Sequence, residues 1–165
     1  EMIAMPPAPV GGTPPVPNRR VPRAVEAALI PEPQLAGSVR REEQPAPGTR
    51  RDLCLTDPGR RDCYVEVKNC TLVENGCASF PDARTVRGLK HLHELMRLVK
   101  SGARGVIFYL IQRMDAVQFR PADHIDPAYG QGLRDALAAG VEALAYDVHI
   151  DLTSIRLRRR MDMVV

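Results

Sequence analysis

The sequence predicts an α/β fold in which a mixed β-sheet is flanked by helices. Residues 51–55 and 63–69 alternate apolar and polar side chains, and the Asp-Pro-Gly turn signal at 57–59 lies between them, which indicates an antiparallel hairpin. Residues 84–100 carry an apolar stripe at helical spacing. The unbroken apolar run 106–111 follows that helix and is typical of a central strand covered on both faces.

The elements before the hairpin are less regular. Residues 1–17 contain six prolines and are expected to form an extended, mobile lead-in without a regular element, whereas 18–165 form the folded domain. A helix is predicted over 19–30, and an edge strand is predicted within 37–44.

The elements after the hairpin follow in chain order. The second hairpin strand is expected to continue through 70–73, to turn at Asn75-Gly76, and to lead into a loop over 77–83. Beyond the central strand, the sequence predicts a polar loop containing Pro121, then a helix over 131–139, and last the strands 143–150 and 155–160.

Composition limits the class of protein. With 165 residues, 44% of them hydrophobic, the chain is long enough for one domain with a real core. No apolar run reaches the length of a membrane span, and no signal peptide is present in the first thirty residues, so a cytoplasmic protein without a membrane partner is expected. The chain starts at Glu1 rather than at a methionine, which suggests a fragment of a longer protein.

The cysteines argue against a structural zinc site, and the net charge does not decide the class of partner. The four cysteines form no C-x-x-C pair and have no histidine at finger spacing, so reduced, partly buried thiols are expected rather than structural zinc. The net charge of +3 is too small to establish a polyanion as partner, but the arginines are clustered, for example within 156–160.

The predicted hairpin brings together a candidate metal site. If the turn is centred near Gly59, Asp52 lies opposite Glu66, and Lys68 projects from the same face. Two neighbouring carboxylates repel each other unless a cation lies between them, and their oxygens suit Mg²⁺ or Mn²⁺. Lys68 would then orient or help deprotonate an attacking water, and the ion would stabilise charge on a phosphate. The alternative is an exposed ion pair on a solvated strand face.

The helix that follows carries a candidate phosphate-binding face. Arg84, Arg87, Lys90 and His91 lie apart from its apolar stripe and come soon after the hairpin, so we expect them to border the site and contact phosphate. The alternative is a solvated helix face. His91 is either a general base or a hydrogen-bonded structural histidine.

The element order α-β-β-β-α-β is that of the PD-(D/E)XK nuclease core, with Asp52 and Glu66-x-Lys68 on the strands that carry its metal site. From about residue 13 to about residue 158 the chain also resembles the sugar fermentation stimulation protein A (SfsA) family. The matching words are Pro17-Asn18-Arg19, Arg41-Glu42, Arg50-x-Asp52, Tyr64-Val65-Glu66-Val67-Lys68-Asn69, Phe80-Pro81-Asp82-Ala83, Thr85-x-Arg87-Gly88-x-Lys90-His91-Leu92, Gln112-Arg113, Pro121-Ala122-Asp123, Ile125-Asp126-Pro127 and Gly140-Val141-Glu142.

The resemblance implies DNA binding with little sequence specificity, linked to the regulation of sugar metabolism, more firmly than it implies cleavage. The alternatives are a Mg/Mn-dependent nuclease and a fragment with neither activity. The chain departs from the family pattern in lacking the small OB-like domain that usually precedes the nuclease-like part. Its prolines within 43–48 also interrupt a segment that is usually a strand. The candidate DNA-binding residues are Arg50, Arg84, Arg87, Lys90 and His91. The candidate metal ligands are Asp52 and Glu66, and the candidate catalytic residues are Asp52, Glu66 and Lys68.

Overall fold

A computed structural model of the chain describes residues 2–5, 8–11, 38–41, 53–56, 58–150 and 155–165. Within these ranges the helices are α1 (Val86–Lys100) and α2 (Pro127–Ala138). The strands are β1 (Met2–Met5), β2 (Ala8–Gly11), β3 (Ser38–Arg41), β4 (Leu53–Thr56), β5 (Cys63–Cys70), β6 (Leu72–Glu74), β7 (Cys77–Phe80), β8 (Arg104–Ile111), β9 (Gln118–Pro121), β10 (Glu142–Ile150), β11 (Ile155–Arg160) and β12 (Asp162–Met163).

The main sheet is mixed and has six strands in the order β11-β10-β8-β5-β4-β3. Strands β5, β8 and β10 are parallel, whereas β3, β4 and β11 pair antiparallel with their neighbours. From Gly105 to Ile111 every residue of β8 is buried, as the apolar run predicts for a central strand. The predicted edge strand within 37–44 is confirmed as β3, and the last two predicted strands are confirmed as β10 and β11.

Side chains on the two faces of this sheet belong to separate parts of the core. Because successive residues of a strand point to opposite faces, β5 and β8 each contribute to both parts. One face buries Val65, Val67, Val106, Phe108 and Leu110. The other packs against the helices and buries Leu92, Leu95, Ile107, Tyr109 and Leu133.

A second sheet of four strands, in the order β12-β9-β7-β6, corrects two sequence predictions. Residues 77–83 were expected to form a loop, but Cys77–Phe80 is β7, joined to β6 through the predicted turn at Asn75 and Gly76. The polar loop before α2 contains β9, in which Phe119 and Pro121 are buried while Gln118 and Arg120 are exposed. Both strands are short, and Pro121 is the last residue of β9, beyond the two residues that pair with β12.

The two helices begin where side chains cap them. Thr85 caps α1, which ends at Lys100 before Ser101, in agreement with the predicted helix over 84–100. Helix α2 starts at Pro127, four residues before the predicted start at 131, because Asp126 is its N-cap and proline fits the first turn. No helix among the described residues has the length and apolar composition needed to cross a membrane.

One buried carboxylate joins the starts of both helices. Asp126 Oδ1 accepts from the Tyr129 backbone amide of α2 at 3.1 Å, and its Oδ2 accepts from the Thr85 backbone amide at 2.8 Å. Tyr129 in turn packs under Gly88, where an added Cβ would lie 3.1 Å from the tyrosine ring. These contacts fix the height and direction of α1 above the sheet.

The proline-rich start of the chain forms more structure than expected. β1 and β2 pair antiparallel, with Ala4 opposite Pro9, so the prediction that residues 1–17 contain no regular element is wrong for these residues. Both strands of a two-stranded ribbon are edges, and an edge tolerates a residue without an N–H. The predicted helix over 19–30 lies outside the described residues.

We predict that Gly88→Ala lowers the free energy of unfolding by about 1–3 kcal/mol, because the new methyl group overpacks α1 against Thr85 and Tyr129. Helix propensity alone predicts that Gly88→Ala raises the free energy of unfolding, by up to about 1 kcal/mol. The matched control is Gly132→Ala in α2, whose methyl group would clash with the flexible end of Leu89 and make an ordinary contact with Leu92. Urea unfolding measures both variants, and equal effects would contradict the packing argument.

Candidate functional site

The β4–β5 hairpin has the register that the sequence predicts. Leu53 lies opposite Val65 and Leu55 opposite Cys63, and these four side chains are buried on the same face of the sheet. Asp52, which the prediction places opposite Glu66, lies outside the described residues, as does Arg50. The described part of the candidate metal site therefore begins at Glu66.

Glu66 and Lys68 of β5 and His91 of α1 form a buried polar cluster between the sheet and the helix. Lys68 Nζ donates to Glu66 Oε1 at 2.8 Å, and His91 Nδ1 contacts the same oxygen. The side chains of Glu66, Lys68 and His91 are only 5%, 11% and 12% exposed. The prediction that Glu66 and Lys68 share a face is confirmed, and the alternative of a solvated ion pair is excluded by their burial.

The carboxylate of Glu66 is held in its charged form. Burial by itself would raise the pKa of Glu66, but the hydrogen bond from His91 and the charge and hydrogen bond of Lys68 outweigh it, so the pKa lies below its ordinary value. Both contacts fall on Oε1, and within the described part of the chain none is recorded on Oε2. Lys68 and His91 therefore fix the carboxylate of Glu66 through a single oxygen.

The orientation of His91 follows from its neighbours. Arg87 Nε lies 3.4 Å from His91 Nε2, and because a guanidinium only donates, Nε2 is the acceptor there. In the neutral ring the proton then sits on Nδ1 and is donated to Glu66. Lys68 Nζ lies 2.9 Å from Nδ1 but is also only a donor. Lys68 and His91 therefore both donate to the carboxylate of Glu66 rather than one to the other.

Of the basic residues predicted on α1, His91 differs from the others. His91 lies in the buried cluster, whereas Arg84, Arg87 and Lys90 are exposed, Lys90 with 65% of its side chain accessible. Lys90 Nζ is 3.8 Å from Glu94 Oε1. The exposed residues form a face that a ligand can reach, and His91 connects that face to Glu66.

Two tyrosines that sequence reasoning did not single out lie next to the cluster. Tyr109 on β8 is the register partner of Lys68, and its hydroxyl is 2.7 Å from that of Tyr129 on α2. Burial raises the pKa of both tyrosines, so both remain protonated at neutral pH. The pair Asp126-Pro127 is a helix-start signal that would have placed Tyr129 in the first turn of α2, had the helix been predicted from 127 rather than from 131.

The described residues alone do not make a metal site. No group of three His, Cys, Asp or Glu side chains that could hold an ion occurs among them. The cysteines are free and buried, and burial raises the pKa of Cys63 and of Cys70 to about 12, so these thiols are poor metal ligands and nucleophiles. A cation at Glu66 would need a further oxygen ligand, and the predicted candidate for it is Asp52.

The family described as the sugar fermentation stimulation protein RE domain matches residues 15–154 of the chain. The chain belongs to the SfsA family. A sugar fermentation stimulation protein homolog from Pelobacter propionicus is 51% identical over 150 residues, covering 91% of this chain and 65% of the relative. A homolog from Geobacter sulfurreducens is 49% identical over 149 residues, covering 90% of this chain and 63% of the relative. The chain thus spans just under two thirds of the length of these SfsA relatives.

A solved structure supports the same family and fold. SfsA from Pyrococcus furiosus, described in complex with Ca²⁺, superimposes with a TM-score of 0.79 at 30% identity, covering 88% of this chain and 62% of that one. The predicted SfsA resemblance and the predicted α/β fold are therefore confirmed.

We predict that Glu66→Gln lowers the free energy of unfolding by about 1–3 kcal/mol near neutral pH, because it removes the charge that Lys68 and His91 contact. Since the folded-state pKa of Glu66 is depressed, its contribution is complete above its ordinary pKa of about 4.3 and is lost as pH falls through the lower folded value. The difference between wild type and variant should therefore narrow in acid.

Urea unfolding between neutral and acid pH, in chelator, measures this difference. The control is Glu74→Gln, because the carboxylate of Glu74 is 50% exposed and lies 3.6 Å from His124. A Glu66→Gln effect that is no larger than that of the control, or that is independent of pH, would contradict the assignment.

Proposed function

We propose that this chain is a DNA-binding domain of the SfsA type that contacts phosphates through the first half of α1 with little sequence specificity. In keeping with the family name, we propose that it acts in the regulation of sugar metabolism. The observation that carries the proposal is the exposed cationic face of Arg84, Arg87 and Lys90 next to a buried, charged carboxylate.

The chemistry of this face favours phosphate over bases. Arg87 and Lys90 lie three residues apart, so their side chains are neighbours on one face of the helix and can contact the same stretch of phosphate backbone. The first turn of α1 contains no acidic residue, so the partial positive charge of the helix start adds to that of the side chains. Contacts of this kind fix a protein on DNA but carry no sequence information.

We predict that Arg87→Glu with Lys90→Glu weakens binding to a labelled DNA duplex by at least about tenfold and lowers the slope of log K against log salt by up to about 2. The same change at the other end of α1, Arg97→Glu with Lys100→Glu, alters the net charge equally and should have a smaller effect. Anisotropy titrations at several salt concentrations measure both. Equal losses would mean that overall charge, not this face, governs binding.

A second candidate function is metal-dependent cleavage of the phosphodiester bond. Two observations favour it: Lys68 Nζ lies 2.8 Å from Glu66 Oε1, and the similar SfsA from Pyrococcus furiosus is a complex with Ca²⁺. Ca²⁺, Mg²⁺ and Mn²⁺ all take oxygen ligands. In this proposal Glu66 and Asp52 hold a Mg²⁺ or Mn²⁺ ion, which would stabilise negative charge on the phosphate.

The residues of the chain would act around that ion in defined ways. Glu66 stays ionised because Lys68 and His91 compensate its burial. The ammonium of Lys68 is positioned to orient a water or to stabilise the phosphate through its charge. His91 holds the carboxylate with Nδ1 and meets Arg87 of the proposed DNA-binding face with Nε2, so it links binding to the site.

We predict that Mn²⁺ raises Tm in a concentration-dependent way and that Asp52→Asn or Glu66→Gln removes most of the rise, because only the folded chain offers both carboxylates. Lys68→Ala should retain the rise but abolish Mn²⁺-dependent cutting of duplex, nicked and single-stranded DNA. Thermal unfolding and gel assays measure the two effects. Cutting by Lys68→Ala at the wild-type rate would contradict this role, and binding without cutting would leave DNA binding as the function.

A further inference from the structure

The edge of the main sheet far from β5 has an irregularity that places two arginines together. β10 and β11 pair with Tyr146 opposite Arg160 and Val148 opposite Leu157, so one residue of β10, Asp147, faces two residues of β11. This is a β-bulge, which breaks the alternation of side chains along a strand. As a result the consecutive residues Arg158 and Arg159 both reach Asp147.

Asp147 is fully buried and holds both arginines. Arg158 donates to it from Nε and from Nη2, the latter at 2.7 Å, and Arg159 donates from its backbone amide and from Nε, each at 3.0 Å. Nη2 of Arg159 also donates to the Ala116 carbonyl at 3.0 Å. The Asp147 side chain is 0% exposed, so each guanidinium is anchored on its inner edge by a partner that cannot move into solvent.

The outer edges of the same guanidinium groups remain accessible. The side chains of Arg158 and Arg159 are 36% and 49% exposed, and among the described residues no contact is recorded for Nη1 of either. One carboxylate compensates only one of the two charges, so the group keeps a net positive charge. A structural ion pair needs one arginine; two oriented forks with accessible outer N–H groups are suited to phosphate oxygens.

We propose that Arg158 and Arg159, oriented by Asp147, form a second phosphate-binding point for the same DNA that contacts α1. This rests on the proposed function. By strand spacing and rise the pair lies roughly 20 Å from Glu66, less than one turn of duplex at about 34 Å. Asp147 follows the alternation of Ala143 and Ala145, which lie on the same face of the sheet as Lys68 and α1. One duplex can therefore reach both points.

Two variants separate orientation from charge in the DNA anisotropy assay. Arg158→Lys with Arg159→Lys keeps both charges but removes the forks, and should weaken binding about tenfold, the loss of roughly one charge-assisted contact. Asp147→Asn makes the chain more positive, so simple electrostatics predicts tighter binding. The proposal predicts weaker binding, because the two guanidinium groups lose the carboxylate that orients them. The matched control is Arg60→Lys with Arg61→Lys, another exposed consecutive pair, which should bind as wild type does.

Each outcome has a defined meaning, provided that thermal unfolding shows the variants folded at the assay temperature. If wild type binds DNA and the lysine pair binds equally well, the second phosphate point is wrong while the proposed function stands. If Asp147→Asn does not fold, the lysine pair alone decides whether the second phosphate point exists.

If wild type does not bind DNA at all, the proposed function itself fails. If inorganic phosphate alone raises the Tm of wild type but not of the lysine pair, while both bind DNA equally, the pair is a site for free phosphate and the proposal is overturned.

Discussion

The candidate site of this chain depends on one buried carboxylate that stays charged. Glu66 lies on a central strand under a helix, where an isolated ion would be expelled or neutralised, and it remains ionised because Lys68 and His91 both contact one of its oxygens. Lys68 lies two residues after Glu66 on the same strand, so both side chains point to the same face of the sheet. His91 comes from α1, and the position of that helix is set elsewhere, by the contacts of Asp126 and Gly88.

This arrangement makes the cluster a junction between surface and interior. The basic face of α1 is exposed, whereas the side chain of His91, on the same helix, points inward and contacts the carboxylate of Glu66. A ligand phosphate that draws Arg87 away from His91 would change the hydrogen bonding of the ring that holds Glu66. The exposed face of α1 and the buried charge are thus connected through the imidazole of His91.

Local pattern was enough to predict the parts of the structure that have strong periodicity. Alternation in 63–69 indicated the shared face of Glu66 and Lys68, and the turn centred at Gly59 indicated the register of β4 with β5. The apolar stripe of α1 and the apolar run of β8 were equally clear. Short elements were missed, because four residues such as those of β7 or β9 contain too little pattern to outweigh a nearby proline.

The details of the site needed three-dimensional information. Helical spacing grouped His91 with Arg87 and Lys90, yet the packing of α1 on the sheet buries His91 and leaves the other two exposed. Nothing in 155–160 signals the bulge that turns two consecutive arginines towards Asp147, because a bulge is a property of the paired strands rather than of either sequence.

The shared cap at Asp126 has a consequence for how the molecule opens. Its two carboxylate oxygens accept from backbone amides at the starts of two different helices, so fraying of either first turn removes one of the hydrogen bonds that hold this buried side chain. The two helix starts should therefore behave as one cooperative unit in hydrogen exchange, with similar protection at Gly88 and Gly130. Opening of this unit would then expose the tyrosine pair beneath it, so that solvent reaches this part of the interior by a cooperative step rather than by fraying of α1 alone.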